Sequence, residues 1–79
     1  MVVVYAIWSE SGRRVYVGMS KDFEKRLKQH NSGQTRSTKK FCPWTVIYEE
    51  ECASWVEGRV REKYFKSGIG KEFLKKLVP

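Results

Sequence analysis

Val2 to Trp8, VVVYAIW, is an unbroken β-branched and aromatic run, the composition that packs well on a pleated surface. SESGRR after it supplies the polar and glycine residues of a turn, and Val15-Tyr16-Val17 resumes the strand pattern. The chain therefore predicts an opening β-hairpin. The period then changes. Phe23, Leu27 and His30 recur at helical spacing on one stripe, with Arg26 beside it. Ser20 is placed to cap this helix, Asp22 to favour its positive end, and Asn31-Ser32-Gly33 to stop it. QTRSTKKFCP, residues 34–43, has no clear period and reads as a basic loop or a ragged helical turn. Pro43-Trp44 then start a third strand, Thr45 to Tyr48.

Ser54 with Glu57 three residues later forms a capping box, which opens a helix running to Lys66 and ended by Ser67-Gly68. Lys71 to Leu77 makes a last short helix. The Ser54–Lys66 helix has two apolar stripes, one of Val56, Val60 and Tyr64, the other of Trp55, Gly58 and Phe65. Both cannot be wholly solvated. Glu62 falls inside the second stripe, where a charge costs free energy unless a cation or hydrogen bonds offset it. Lys66, one turn on, is placed to do so.

Length and charge narrow the picture. A chain of 79 residues predicts a single domain, residues 1–79, with a modest core, because small folds bury a smaller share of their surface. Its 41% hydrophobic and 14% aromatic content is enough to close that core without disulfides or metal, which argues against disorder. The net charge is +7, and it is clustered. Residues 21–40 hold Lys21, Lys25, Arg26, Lys28, Arg36, Lys39 and Lys40 against Asp22 and Glu24, and residues 59–76 hold a second basic cluster. Glu49, Glu50, Glu51 and Glu57 lie between them as an acidic block. A small basic domain favours a polyanionic partner, since each neutralised phosphate releases a counterion. Cys42 and Cys52 are too few for a disulfide framework and lack metal-site spacing, so a reducing cytoplasm is the expected home. The apolar opening is far shorter than the roughly twenty residues that span a bilayer, and it lacks the basic flank and cleavage site of a leader. No membrane association is expected.

Read separately, the candidate site residues have ordinary explanations. Tyr5 and Tyr16 suit a half-buried sheet, Arg26 can pair with Asp22, and His30 suits a helix C-terminus. Read together, Val3-Val4-Tyr5, Tyr16-Val17-Gly18, SKDFEKRLKQHNSG, RSTKKFCPWTVIYEE and EGRVREKYFKSGIGKEFLKKL resemble, in order and spacing, the GIY-YIG nuclease superfamily. The likeness runs nearly end to end and is strongest to its small stand-alone members and to the N-terminal domain of the bacterial excision-repair endonuclease.

The resemblance implies an α+β fold, a three-stranded antiparallel sheet flanked by helices, and metal-dependent phosphodiester hydrolysis. It makes Glu62 the sole protein ligand of one divalent ion, Mg²⁺ or Mn²⁺, with phosphate and waters completing the shell. Arg26 would contact the phosphate and stabilise charge growing on it. Tyr5 would take a proton from the attacking water, with Tyr16 and His30 orienting that water, tuning the phenol or serving as the base. Gly18 would let the chain leave the second strand without a side chain in the way. There are two departures from the pattern: Val3 and Val4 stand at the glycine and isoleucine of the first motif, and Leu74 stands where some members carry asparagine.

Lys21, Lys25, Lys28, Arg36, Lys39 and Lys40 are the candidate contacts to a nucleic-acid backbone, which position without reading sequence. DNA is expected before RNA. Cleavage is expected to have little sequence specificity and to favour branched, flapped or single-stranded DNA in repair or recombination. A non-catalytic nucleic-acid-binding module is the alternative, and a protein-interaction domain using the acidic block is a third reading.

Overall fold

The structure is a computed structural model that describes residues 1–79. In chain order it contains β1 (Val2–Ser9), β2 (Arg14–Ser20), α1 (Phe23–Asn31), a 3₁₀ turn (Lys39–Phe41), β3 (Thr45–Cys52), α2 (Trp55–Lys66) and α3 (Gly68–Lys75). The strands form one antiparallel sheet in the order β2-β1-β3. β1 is central, which explains its unbroken apolar run: a strand covered on both faces has no polar side to alternate with.

Alternation along β1 sends its residues to two separate cores. Val4 and Ala6 join Val17, Cys52, Phe65 and Leu74 beneath α2 and α3. Tyr5 and Ile7 join Trp44 on the other face, where Tyr16, Phe23, Leu27 and Phe41 pack against them. Of the two stripes on α2, the one with Gly58, Glu62 and Phe65 is buried, but Trp55 at its head is exposed. Val56 and Val60 are exposed.

Several boundaries differ from the sequence expectation, each for a local reason. Asp22 rather than Ser20 caps α1, its carboxylate accepting from the Lys25 backbone N–H at 3.1 Å. Ser20 closes the turn before it by accepting from the Asp22 N–H. β3 continues beyond Tyr48 through the acidic block, its glutamates opposite Val3, Val4 and Tyr5 of β1. Glutamate is a weak strand former, but Arg61 binds Glu50 through two N–H groups at 2.7 and 3.1 Å and the Tyr48 hydroxyl donates to it at 2.7 Å. The last helix starts at Gly68, because Ser67 ends α2 and caps α3 at the same residue. Gly70 is required in that corner, since a Cβ there would collide with the Tyr64 carbonyl oxygen. No helix is long and apolar enough to cross a membrane.

Candidate active site

Tyr5 is directly opposite Gly18 in the β1–β2 pairing. A Cβ at position 18 would stand 2.6 Å from the Tyr5 hydroxyl oxygen, so the missing side chain is the seat of the phenol. Gly18 lies inside β2 rather than at its exit, and its role differs from the one expected: it makes room for a cross-strand tyrosine. The Phe23 ring, 4.7 Å away between centroids, closes the phenol from the α1 side.

The Tyr5 hydroxyl is 2.8 Å from His30 Nε2, and His30 Nδ1 is 2.8 Å from Thr38 Oγ1. The Thr38 hydroxyl also faces the Thr35 carbonyl oxygen at 3.4 Å. When the hydroxyl donates there it accepts from Nδ1–H, Nε2 carries the lone pair, and the Tyr5 O–H donates to it. The other tautomer of His30 reverses both bonds.

His30 has no exposed surface. Burial first, and the charge of Arg26 second, push its pKa down to about 4, so it is neutral at ordinary pH. It is not a cationic anchor for an anion. Burial likewise raises the Tyr5 pKa, reinforced by Tyr16 and Glu62, while hydrogen bonding to Arg26 acts the other way without winning. Tyr5 therefore rests as a phenol. The basic surroundings do not turn it into a phenolate.

Arg26 does not pair with Asp22. It is half-buried, gives one N–H to Gln29 Oε1 at 3.1 Å, and lies beside the Tyr5 phenol. With Met19, Ser20, Lys21 and Trp55 it lines an open groove at the end of β2, between α1 and α2. Tyr16 is half-buried and packs its ring 5.1 Å from that of His30.

Glu62 comes from the opposite face of the sheet, on α2. Its side chain is 12% exposed, and its carboxylate accepts from Lys66 at 3.0 Å, the expected partner, and from Arg59 at 3.3 Å. Its charge reaches the Tyr5 phenol. The Tyr5 hydroxyl and Arg26 thus stand on the α1 face of the sheet, and the Glu62 carboxylate approaches from the α2 face.

No group of three or more His, Cys, Asp or Glu side chains that could hold a metal ion stands together in the fold. A structural metal does not fit. A hard cation that keeps most of its shell as water and phosphate oxygens needs only one carboxylate, and Glu62 fits that demand. Lys66 and Arg59 are 54% and 61% exposed, so their pairs with Glu62 are weak and exchangeable.

Lys21, Lys25, Lys28, Arg36, Lys39 and Lys40 are all exposed, and none enters an ion pair. Lys21 reaches the groove beside Arg26. Lys25 and Lys28 stand on α1, and Lys39 and Lys40 on the 3₁₀ turn of the same face. Leu74 is 2% exposed within the apolar cluster under α3, so position 74 contributes packing here.

Thr38 is the site residue that sequence reading missed. It sits in a segment without periodicity, and its burial comes from a later residue: the Trp44 indole N–H donates to the Thr38 carbonyl at 2.9 Å. Asn31 fastens the same corner by accepting from the Trp44 N–H and donating to its carbonyl.

The fold is an α+β sheet with tyrosines on two strands, an arginine on the first long helix and a glutamate on the second. A family model of the GIY-YIG catalytic domain matches residues 1–75, and the chain belongs to the GIY-YIG nuclease family. Among solved structures it is similar to the solution NMR structure of a UPF0213 protein from Bacillus halodurans, with 27% identity and a TM-score of 0.57 over 98% of this chain and 85% of that one. No curated protein matches it. Nucleases of this family are generally divalent-metal dependent, and family membership points to a nucleic-acid substrate.

Proposed function

We propose that the protein is a metal-dependent endonuclease that hydrolyses DNA phosphodiester bonds with little sequence preference and selects substrates by structure, in a repair or recombination setting. The observation that carries this reading is the buried hydrogen-bond chain of Tyr5, His30 and Thr38 beside Arg26.

The roles follow from the chemistry of each group. Arg26 binds the scissile phosphate and stabilises the charge that builds on it. Tyr5 gives its proton to His30, so its oxygen is free to accept from the attacking water. As that water's O–H bond breaks, the phenol oxygen takes the proton and its own proton passes to His30 Nε2. A phosphate on Arg26 offsets the positive charge that depresses His30, which raises the basicity of His30 when substrate is present. Tyr16 holds the imidazole by packing on it. Glu62 is the carboxylate that would hold the divalent ion, which when bound supplies Lewis-acid stabilisation and a more acidic water. Lys21, Lys25, Lys28, Arg36, Lys39 and Lys40 grip the backbone of the DNA on the α1 side.

Cleavage of end-labelled single-stranded, duplex and flapped DNA, and of RNA, with Mg²⁺, with Mn²⁺ and with chelator tests the reading. Tyr5→Phe and Arg26→Ala are expected to lose about 10²-fold or more in rate, and Glu62→Ala all metal-dependent cleavage, with unchanged circular dichroism. Cleavage that survives Glu62→Ala overturns the assignment. One observation favours a second reading, a binding module without cleavage: the Glu62 carboxylate already holds two cations. That reading requires binding in chelator that persists in Glu62→Ala and falls steeply with salt, with no cutting of any substrate by the wild type.

A further inference from the structure

A second concavity of about 560 Å³ lies on the α2–α3 side of the sheet, away from Arg26 and Tyr5's phenol. Val15, Tyr16 and Val78, all half-buried, give it an apolar surface over the buried Trp8, Val17, Phe65 and Leu74, and Arg13, Arg14, Lys66, Lys71 and Lys75 give it a cationic rim. No acidic residue lines it. Arg13 sits in the hairpin turn with φ at 47°, a conformation that favours glycine or asparagine, so an arginine is held there against local preference. Lys66 belongs to both places, lining this groove and binding Glu62.

We infer that this groove receives an unpaired nucleic-acid strand as it leaves the cut site, so that the enzyme's substrate is DNA with a single-stranded arm. The inference rests on the nuclease reading for the direction of the strand. Charge complementarity selects a polyanion: the rim carries cations only. The floor selects among polyanions. A duplex turns its bases inward and would leave Val15, Tyr16 and Val78 facing phosphates and water, whereas an unpaired strand offers apolar base faces between its charges. Lys66 supplies continuity, because a phosphate beside Glu62 is already within reach of the lysine that opens the groove. An acidic peptide matches the rim, but nothing joins it to Glu62.

Binding in chelator isolates this site from catalysis. Fluorescence anisotropy would compare wild type with Arg13→Glu/Lys71→Glu, both exposed positions outside the core, on a labelled oligothymidylate of about twelve nucleotides, a blunt duplex of equal charge, and an abasic strand of equal length. The double variant is expected to lose roughly tenfold or more in affinity for oligothymidylate and less than about threefold for the duplex. The abasic strand should bind the wild type more weakly than oligothymidylate does. Equal losses on strand and duplex, equal affinity for the abasic strand, or displacement of oligothymidylate by a polyglutamate peptide at lower concentration than by unlabelled strand overturns the inference. In Mg²⁺ or Mn²⁺, a wild type that cuts nothing would sink the nuclease reading alone, while the binding comparison still decides the groove. A wild type that cuts, with a double variant that cuts flapped and blunt DNA in the wild-type ratio, would sink the groove and leave the nuclease standing.

Discussion

The two faces of the sheet are built from opposite materials. Under α2 and α3 the buried cluster is Val4, Ala6, Val17, Cys52, Phe65 and Leu74, with no side chain that must be hydrogen-bonded to be tolerated. Under α1 the interior holds Tyr5, His30 and Thr38 in a chain of hydrogen bonds, and no buried side-chain nitrogen or oxygen in the molecule lacks a partner. Burying a large apolar side chain contributes about 1.5–3 kcal/mol. A typical hydrogen bond exchanged with water contributes only about 1 kcal/mol. The α2–α3 face therefore holds the fold together, and the α1 face gives up part of that stability for orientation. Apart from Glu62, which comes in from α2, the chemistry sits on the face that can least afford a loose fit, because a buried polar network half-satisfied is worse than none.

The division breaks most visibly at Phe65. Phe65→Ala should cost about 3–5 kcal/mol, a large part of the roughly 5–15 kcal/mol that holds a domain folded, and urea unfolding would read it as a lower midpoint with unchanged slope. Tyr5→Phe keeps the ring and should leave the midpoint far closer to wild type while cleavage collapses. The reverse pattern would mean that the α1 network, not the apolar cluster, is the mainstay of the fold.

Acid sharpens the same contrast. The folded His30 pKa of about 4 lies below its unfolded value near ~6.5. Between these values the unfolded chain binds a proton that the fold refuses, so stability is full above about pH 6.5, falls as pH drops to about 4, and levels off below. The loss approaches about 3 kcal/mol. Burial sets the shift first and the charge of Arg26 second. Glu50 also titrates with its pKa lowered, chiefly by Arg61, and its contribution begins to fade only near the ordinary carboxylate value, at the foot of this window. Urea midpoints from pH 7 to pH 4 should slope for wild type and flatten for His30→Gln. An equal slope in both would remove His30 as the cause.

The sequence was most legible where structure is local. Helical spacing placed Phe23, Leu27 and His30 on one face of α1, and the Ser54 capping box marked the start of α2: the Glu57 N–H binds the Ser54 hydroxyl at 3.2 Å, while the Glu57 carboxylate reaches back to the Ala53 N–H at 2.9 Å. The buried stripe with Glu62 was visible in the same way. What depended on distant partners was not. The extension of β3 through Glu49, Glu50 and Glu51 needs β1 beside it and Arg61 from α2 over it. The function of Gly18 needs Tyr5 opposite, which only the register supplies. Thr38 looks like any hydroxyl in a basic loop until Trp44 and His30 close over it. The order of the motifs revealed the family, but the Tyr5–His30–Thr38 chain required coordinates.

Thr38 gives the finest cut between the two faces, because Thr38→Val changes a hydroxyl to a methyl and little else. The His30 Nδ1–H would lose its acceptor, at a cost of about 1–3 kcal/mol for a buried unsatisfied donor. The imidazole has a cheaper answer, which is to move its proton to Nε2 and donate to Tyr5. That reversal would leave Nδ1 bare against the methyl and force the phenol proton away from His30, so the oxygen that should accept from water would instead be occupied by the imidazole. Nitrogen NMR of His30 should report the Nδ1–H tautomer in wild type and in Thr38→Ser, and the Nε2–H tautomer in Thr38→Val, with cleavage falling only in the last. If Thr38→Val keeps Nδ1–H and loses stability alone, Thr38 is packing, and the direction of the Tyr5–His30 bond has another origin.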